Sequence, residues 1–297
     1  MRATVSRLFA ACVAIWGTTW IAITFQLGRV APEASVAWRF GLASLILAAL
    51  CRARGFSLRF RPGVHALLAL MGLPMFCTGY LFVYHAETML VSGLVAVGYS
   101  ASPLVNMALS RLAFGVPLRG RVAAGGLLGL SGVALVFWPE ISRFQGGGRA
   151  ALGAALTAGG VVSAAVGNVF ATMLERRGVN VWQKMAWGMG YGALFCLVAA
   201  AARRQPLGFE WSVPYVASLL YLAVFGSILA FTAFLTLLER AGAAQAGYVG
   251  VMVPMVALAI SGFLEGLALG PLTLAGLAAA VAGNVLMLRP ASPEGGT

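Results

Sequence analysis

The chain has 297 residues, of which 61% are hydrophobic and only 9% are charged, and its formal net charge is +12. Soluble globular domains carry about 25% charged residues, so this composition excludes a soluble protein and indicates an integral membrane protein. The positive charge does not indicate a nucleic-acid partner, because the arginines lie between apolar segments and no aqueous face is left to hold a basic patch.

Ten apolar segments follow one another along the chain, each long enough to cross about 30 Å of hydrocarbon as a helix. The predicted spans are 8–27, 34–50, 64–84, 90–114 and 122–138, followed by 150–174, 181–202, 213–238, 243–264 and 272–288. The first span is too long for a removable signal peptide and is expected to be retained. The connections are short, so no soluble domain is expected to carry separate chemistry.

The second half of the chain resembles the first. Residues 103–137 align without a gap with residues 254–288, and ten of the 35 pairs are identical, where chance gives roughly three. This predicts two units, 1–145 and 146–297, with five spans each. Because five is odd, the second unit must enter the membrane from the opposite side. The predicted fold class is an all-α integral membrane protein with ten transmembrane helices in two inverted-topology repeats, an architecture typical of secondary transporters.

The basic residues predict the orientation of the chain. If the N-terminus is cytoplasmic, fourteen lysines and arginines lie inside, five lie outside, and Arg39 lies within a span. This distribution satisfies the positive-inside rule. We therefore expect both termini in the cytoplasm of a bacterium, with the chain in the inner (cell) membrane.

Two prolines occupy equivalent places in the aligned repeat. Pro103 lies in span four and Pro254 in span nine, and paired interruptions of this kind indicate a transport site or a hinge. A static kink is the alternative. We expect these two prolines to act as hinge points.

Polar and aromatic residues inside the spans predict a substrate cavity, because a polar group in hydrocarbon needs a partner, water or a ligand. Rings with hydroxyl groups suit a ligand with an apolar or aromatic body and a few polar groups. Interhelical hydrogen bonding, core packing and lipid contact are the alternatives for each residue. The predicted wall consists of Trp16, Thr19, Tyr80, Tyr84, Tyr99, Asn168, Trp187, Tyr191, Phe231, Gln245 and Tyr248.

The ionisable residues are sparse. The chain has no aspartate, and its eight glutamates fall at span ends, in loops or in the tail, so no acid is expected at the middle of the membrane. Facilitated export and proton exchange therefore both stay open. Arg39 either snorkels or forms a structural ion pair with Glu33 or Glu87, or it binds a substrate carboxylate.

The remaining sequence signals point to structure rather than chemistry. The four cysteines lack CxxC spacing, so they are expected to be small buried hydrophobic residues, with no metal and no cofactor. Spans five and ten carry small residues at helical spacing: Gly125, Gly129 and Gly132, repeated as Gly276, Ala280 and Gly283. Such faces allow close helix approach and predict scaffold or dimer contacts. A monomer and a homodimer are both compatible with them.

Several short motifs occur together in a characteristic order. They are the run from Trp16 to Trp20, the Arg39-Phe40 pair, the stretch 84–103, and its second-half counterpart 237–265. In this respect the chain resembles the ten-span drug/metabolite transporter superfamily with two EamA-type units, and within it the YddG-type bacterial exporters of aromatic amino acids. The resemblance implies a basket of spans one to four and six to nine around a central cavity, with spans five and ten peripheral. It also implies efflux of amino acids or related metabolites.

These observations lead to one functional hypothesis. The chain is expected to be a secondary transporter, not an enzyme, that exports amino acids, aromatic and other neutral ones included, by alternating access. Its partners would be the small-molecule substrate and membrane lipid. A broader drug or metabolite exporter, a lipid or polyprenyl flippase and a channel are alternatives with the same bundle. A membrane-embedded enzyme would need clustered acids, histidines or a metal site.

Overall fold

The regular structure of the chain is helical. The computed structural model describes residues 2–115, 120–143, 148–267 and 269–288, and within them there are helices and no β-strand. The helices are α1 (Arg2–Thr24), α2 (Pro32–Ala53), α3 (Pro62–Gly72), α4 (Gly79–Glu87), α5 (Ser92–Gly98), α6 (Ser102–Phe114), α7 (Gly120–Arg143), α8 (Arg149–Glu175), α9 (Val181–Ala202), α10 (Val213–Leu220), α11 (Ala230–Leu264) and α12 (Pro271–Leu288). The boundary predicted between residues 145 and 146 lies outside the described residues.

The helical runs agree with most of the predicted spans. In the described part of the chain, eight runs are long and apolar enough to cross a membrane, and two shorter apolar helices, Tyr248–Leu264 and Pro271–Met287, follow them. Many helices begin at a proline, as α2 does at Pro32 and α3 at Pro62. Proline suits the first turn because its missing N–H would have no partner there. The chain is therefore a multi-span membrane protein.

The predicted boundary between spans eight and nine does not interrupt the helical hydrogen bonding, because α11 runs through it. A straight helix would separate residues 231 and 256 by about 38 Å. Yet the ring of Trp16 lies 5.2 Å from that of Phe231, and a Cβ on the adjacent Gly17 would stand 2.6 Å from Cγ1 of Val256. Both the first and the last part of α11 therefore lie beside α1. The direction of the chain must reverse between them, near residues 238–247.

Two wide π-helical turns interrupt corresponding spans. One joins α3 to α4 at Leu73–Thr78, and the other joins α10 to α11 at Tyr221–Leu229. Pro74 lies in the first segment, where its ring prevents a regular α-helical hydrogen bond. In both segments a hydroxyl group donates to the carbonyl oxygen five residues earlier: Thr78 to Leu73 at 3.4 Å and Ser227 to Leu222 at 2.9 Å. Such bonds satisfy backbone groups that hydrocarbon cannot.

Span four is also interrupted. A 3₁₀ turn at Tyr99–Ala101 separates α5 from α6, and Pro103 lies in the first turn of α6. Pro254 lies inside α11 without breaking it. The two prolines therefore have different local effects, and their action as hinges stays a prediction.

Long helices from the two halves of the chain pack against each other in pairs. The most extensive contacts join α7 to α12, α2 to α9, and α1 to α11. The main core includes Phe40, Phe76 and Tyr84, which are fully buried. All four cysteines are free and buried, as predicted.

The small residues of spans five and ten form an internal contact. A Cβ at Gly125 would stand 2.7 Å from the carbonyl oxygen of Gly283, and one at Gly132 would stand 2.5 Å from that of Gly276. A Cβ at Gly129 meets nothing within 4 Å. The face thus serves the packing of α7 on α12 within one chain, with backbone against backbone at Gly125 and Gly132.

This contact predicts opposite outcomes for two neighbouring Gly→Ala changes. Gly132→Ala should lower the unfolding free energy by about 1–3 kcal/mol, because the new methyl group forces two backbones apart. Gly129→Ala should leave the stability unchanged or raise it by up to about 1 kcal/mol, because alanine is the better helix former. Thermal unfolding in detergent measures both. Equal melting temperatures for the two variants would contradict this account of the packing.

Candidate functional site

An aromatic cluster joins the first helix to the second half of the chain. The ring of Trp16 lies 5.2 Å from Phe231 and 5.4 Å from Phe234, and its Nε1 donates to the carbonyl oxygen of Gly226 at 3.1 Å. Thr19, one turn further along α1, has its methyl group 2.8 Å from the position of a Cβ on Gly226. Gly226 therefore lets α1 approach the π-helical turn closely, and it brings Trp16, Thr19 and Phe231 together.

A buried arginine lies next to this cluster. The Arg39 side chain is only 2% exposed, and its Nη2 atom is 3.6 Å from the position of a Cβ on Gly226. Its guanidinium carbon lies 4.7 Å from the ring centre of Tyr80 and 5.1 Å from that of Phe40. The Nε and Nη1 atoms are buried and have no hydrogen-bond partner. Arg39 thus does not snorkel to solvent. The interactions that stabilise its guanidinium group are cation–π contacts with the rings of Tyr80 and Phe40.

Tyr84 and Tyr99 approach the same region from spans three and four. Tyr84 is fully buried, and its hydroxyl group has no hydrogen-bond partner. The ring of Tyr99 lies 5.2 Å from that of Trp20 on α1, and its hydroxyl oxygen is 2.5 Å from the position of a Cβ on Gly160 of α8. Tyr99 therefore bridges the two halves of the chain.

The other predicted residues lie in separate places. Trp187 and Tyr191 stack at 5.7 Å on α9, where the Tyr191 hydroxyl group is 3.0 Å from Nδ1 of His65. Trp187 Nε1 donates to the carbonyl oxygen of Leu58 at 3.0 Å. These two rings link span seven to the start of span three, and no contact described for them reaches the Arg39 region.

Asn168, Tyr248 and Gln245 complete the predicted wall. Asn168 is exposed and donates to Asn106 Oδ1 at 2.9 Å. This is the interhelical hydrogen bonding that the sequence left open as an alternative to a role in the cavity wall. Tyr248 lines a cavity of about 320 Å³ with Val5, Phe9 and Leu237, beside the start of α1. The backbone of Gln245 lies in α11, but its side chain is outside the described part of the structure.

The opposite end of the bundle, where α1 ends and α2 begins, holds most of the ionic contacts between the halves. We call it the distal end. Glu33 on α2 accepts a hydrogen bond from Arg203, which follows α9, and lies 3.5 Å from Nε2 of His85. Arg29 pairs with Glu210 at 2.9 Å.

A serine cluster completes the distal contacts. Glu265 accepts hydrogen bonds from the backbone N–H and hydroxyl group of Ser92 and from the Ser261 hydroxyl group. It thereby caps the first turn of α5. Ser92 thus serves as an interhelical hydrogen-bond donor.

Two of the acids that fall at span ends are buried in the protein, which their position in the sequence does not reveal. Glu33 and Glu87 do fall at span ends, yet the former is 1% exposed and the latter 7% exposed. Glu33 is paired, whereas neither carboxylate oxygen of Glu87 has a hydrogen-bond partner. The predicted ion pair of Arg39 with Glu33 is wrong, because Arg203 and His85 occupy that carboxylate, and no ion pair joins Arg39 to Glu87.

The sequence prediction missed Gly226 and gave too little weight to Arg39 and Glu87. Gly226 carries no chemistry of its own, and only its contacts with Thr19 and Arg39 reveal its place. A usable signal existed for Arg39, since it is a charged residue seven positions inside an apolar helix that begins at Pro32. Among the described residues, no group of three or more His, Cys, Asp or Glu side chains is arranged to hold a metal ion.

The helical bundle and its polar interior define the class of a multi-span membrane transport protein. The chain belongs to the EamA-like transporter family, whose model matches it twice, over residues 6–138 and 151–289.

Several curated proteins are similar over most of their length. The uncharacterized inner membrane transporter YedA of Escherichia coli is 30% identical over 271 residues, covering 87% of this chain and 82% of YedA. The uncharacterized transporter YvbV of Bacillus subtilis is 26% identical over 278 residues, with 91% and 86% covered. Protein PagO of Salmonella typhimurium is 23% identical over 281 residues, with 90% and 87% covered.

One solved crystal structure shares the fold. It superposes with a TM-score of 0.68 at 18% sequence identity and covers 97% of this chain and 98% of its own. At this identity the likeness concerns the fold alone.

The two distal ion pairs predict different stability effects. Arg203→Gln leaves the buried Glu33 carboxylate short of a partner and should lower the unfolding free energy by about 1–3 kcal/mol. Arg29→Gln should cost less than about 1 kcal/mol, because the Arg29 side chain is 81% exposed and its pair is solvated. Melting curves in detergent compare the variants. Adding Glu33→Gln to Arg203→Gln should recover part of the loss, and no recovery would contradict the pairing.

Proposed function

We propose that the chain is a secondary transporter that exports amino acids, aromatic and other neutral ones, from the cytoplasm, in the manner of the YddG-type exporters it resembles. The observation that carries this proposal is the aromatic contact between the two halves, in which the ring of Trp16 from the first half packs on Phe231 and Phe234 of the second. Tyr80 lies beside it under Arg39, which approaches Gly226 as Trp16 does. Rings of this kind bind an apolar or aromatic side chain and leave hydroxyl groups for its polar end.

The proposed architecture is ten membrane crossings in two inverted units, 1–145 and 146–297. The double match to the family model, the paired π-helical turns and the reversal within α11 support it. Both termini would be cytoplasmic, which places the distal end outside. In this arrangement the distal ion pairs and the Ser92 cluster close the outer side, and the cavity beside Tyr248 lies at the inner side.

Alternating access follows from rocking of one unit against the other around the central aromatic cluster. The outer contacts would have to break for release, and they are suited to this because hydrogen bonds and a part-exposed ion pair are individually weak. The cavity wall in this proposal is the full predicted set. Its central members, Trp16, Thr19, Tyr80, Tyr84, Tyr99 and Phe231, would contact the substrate first, and Trp187, Tyr191, Asn168, Gln245 and Tyr248 would line its route.

Counterflow of labelled L-phenylalanine in proteoliposomes tests the transport activity. The wild-type protein should give saturable exchange, and Trp16→Ala combined with Tyr99→Ala should reduce it by roughly tenfold or more, because both rings are lost from the site. Trp211→Ala is the matched control, since that ring is 84% exposed and remote from the cluster. Unchanged exchange in the double variant would exclude the central site. Absence of amino-acid exchange by the wild type would exclude the substrate class.

The hinge at Pro103 predicts a kinetic effect. Pro103→Ala restores a backbone N–H and lets α5 and α6 merge into one straighter helix, so the rate of reorientation should fall. We expect the maximal exchange rate to drop by roughly fivefold while the half-saturating phenylalanine concentration stays constant. Pro271→Ala, at the start of the peripheral α12, should change neither quantity. An altered half-saturating concentration with a normal maximal rate would place Pro103 in the binding site instead.

A further inference from the structure

Two opposite charges are buried in the bundle without being paired. Arg39 has two unpartnered nitrogens, Nε and Nη1, and Glu87 has two unpartnered carboxylate oxygens. Both side chains are more than nine-tenths buried. A buried ion without a partner is strongly disfavoured, so such a pair of groups in a membrane protein marks a functional site.

The other acids with described side chains all have partners. Glu33 is bound by Arg203, Glu210 by Arg29, Glu175 by Lys184, and Glu265 by Ser92 and Ser261. Glu87 alone among them keeps both oxygens free within the protein. The arrangement at Glu87 is therefore not a general property of acids in this bundle.

The two charges lie at the ends of one stripe of tyrosines. Tyr80, Tyr84 and Glu87 are spaced by four and three residues, which places them on one helical face. The Arg39 guanidinium covers Tyr80 at one end, and Glu87 lies seven residues away, about 10 Å along the helix axis, at the other. Tyr84 lies between Tyr80 and Glu87 on this helical face, and its buried hydroxyl group also has no hydrogen-bond partner.

We propose that Arg39 and Glu87 together bind the two charges of an α-amino acid: the guanidinium holds the carboxylate, and the Glu87 carboxylate holds the ammonium group. A guanidinium matches a carboxylate in two parallel hydrogen bonds, and an ammonium group offers three donors to an acid. The Tyr84 hydroxyl group donates to or accepts from the zwitterion between them. The substrate side chain then faces the rings of Trp16 and Phe231.

This inference rests on the proposed function and specifies its substrate class. A ligand with both charges supplies both missing partners, whereas an amine leaves Arg39 unpaired and an organic acid leaves Glu87 unpaired. Sites built to bond a polar group reject analogues that lack it by large factors, because their own buried groups are then left without partners. The site should thus require the intact zwitterion.

Competition with the wild-type protein tests this requirement without any mutation. In phenylalanine counterflow, phenethylamine, which lacks the carboxylate, and 3-phenylpropionate, which lacks the ammonium group, should each compete about 100-fold more weakly than L-phenylalanine. The inference would be overturned if either analogue inhibited counterflow at a concentration within about threefold of that needed for unlabelled L-phenylalanine. Wild-type protein that exchanges no amino acid would instead refute the proposed function itself.

Two single variants then assign each charge to its partner. Arg39→Gln and Glu87→Gln should each abolish phenylalanine exchange. Binding is then measured as the rise in melting temperature that each compound causes. In Arg39→Gln the rise caused by phenethylamine should come closer to that caused by phenylalanine, and in Glu87→Gln the rise caused by 3-phenylpropionate should do so. Lys184→Gln removes another buried cation, one bonded to Glu175 and the Ala171 carbonyl oxygen, and should leave all three responses as in the wild type. Two results would overturn the assignment. One is that Lys184→Gln loses as much thermal protection by phenylalanine as the Arg39 and Glu87 variants do. The other is that neither of those two variants changes its preference for phenylalanine over the two analogues.

Discussion

Hydrocarbon offers no hydrogen-bond partner, and the structure of this protein depends on that constraint. Backbone groups must be satisfied within helices, and where a π-helical turn frees a carbonyl oxygen, the hydroxyl groups of Thr78 and Ser227 donate a hydrogen bond to it. Polar side chains obey the same rule, as Ser92 does with Glu265. Against this background the unpartnered nitrogens of Arg39 and the oxygens of Glu87 stand out, because each buried ion costs several kcal/mol unless something binds it.

The packing divides the bundle into a rigid part and an adaptable part. Between α7 and α12 the backbones touch at Gly125 and Gly132, so that contact has little room to slide. Elsewhere the halves also meet through the backbone, as where a Cβ on Gly72 would stand 2.5 Å from the carbonyl oxygen of Gly188. Other contacts run through rings such as Trp16 and Tyr99, which can change rotamers, and at the distal end they run through hydrogen bonds and ion pairs. Conformational change requires contacts that exchange at low cost. The periphery thus provides a scaffold, and the proposed transport cycle would take place in the aromatic and hydrogen-bonded interior.

The sequence predicted the helices better than it predicted the site. Span length and hydropathy follow directly from the thickness of the bilayer, so membrane insertion and most helix ends were recoverable. Helical spacing, however, shows which residues share a face and not which neighbour that face meets. For that reason Trp187 and Tyr191, which were predicted to lie in the cavity wall, contact His65, and no contact described for them reaches the Arg39 region. The burial of Glu87 was equally hidden, because a position at a span end does not reveal that other helices cover it.

The charges are also distributed unequally between the proposed repeats, and this bears on specificity. Aligning the starts of α2 and α9 places Gly188 opposite Arg39, and aligning the starts of α3 and α10 places Leu238 opposite Glu87. Glycine and leucine cannot pair with the charges of a zwitterion, so in this alignment neither charge is repeated at the same position, although Glu239 directly follows Leu238. In the inverted arrangement the backbone symmetry would allow two equivalent conformations, open to opposite sides of the membrane. Recognition need not be symmetric. One set of charges, held by the first proposed unit with Gly226 of the second beside Arg39, would serve a substrate in both conformations. In the proposed arrangement, a duplicated scaffold with the binding stripe in one unit would therefore be sufficient for alternating access to a single site.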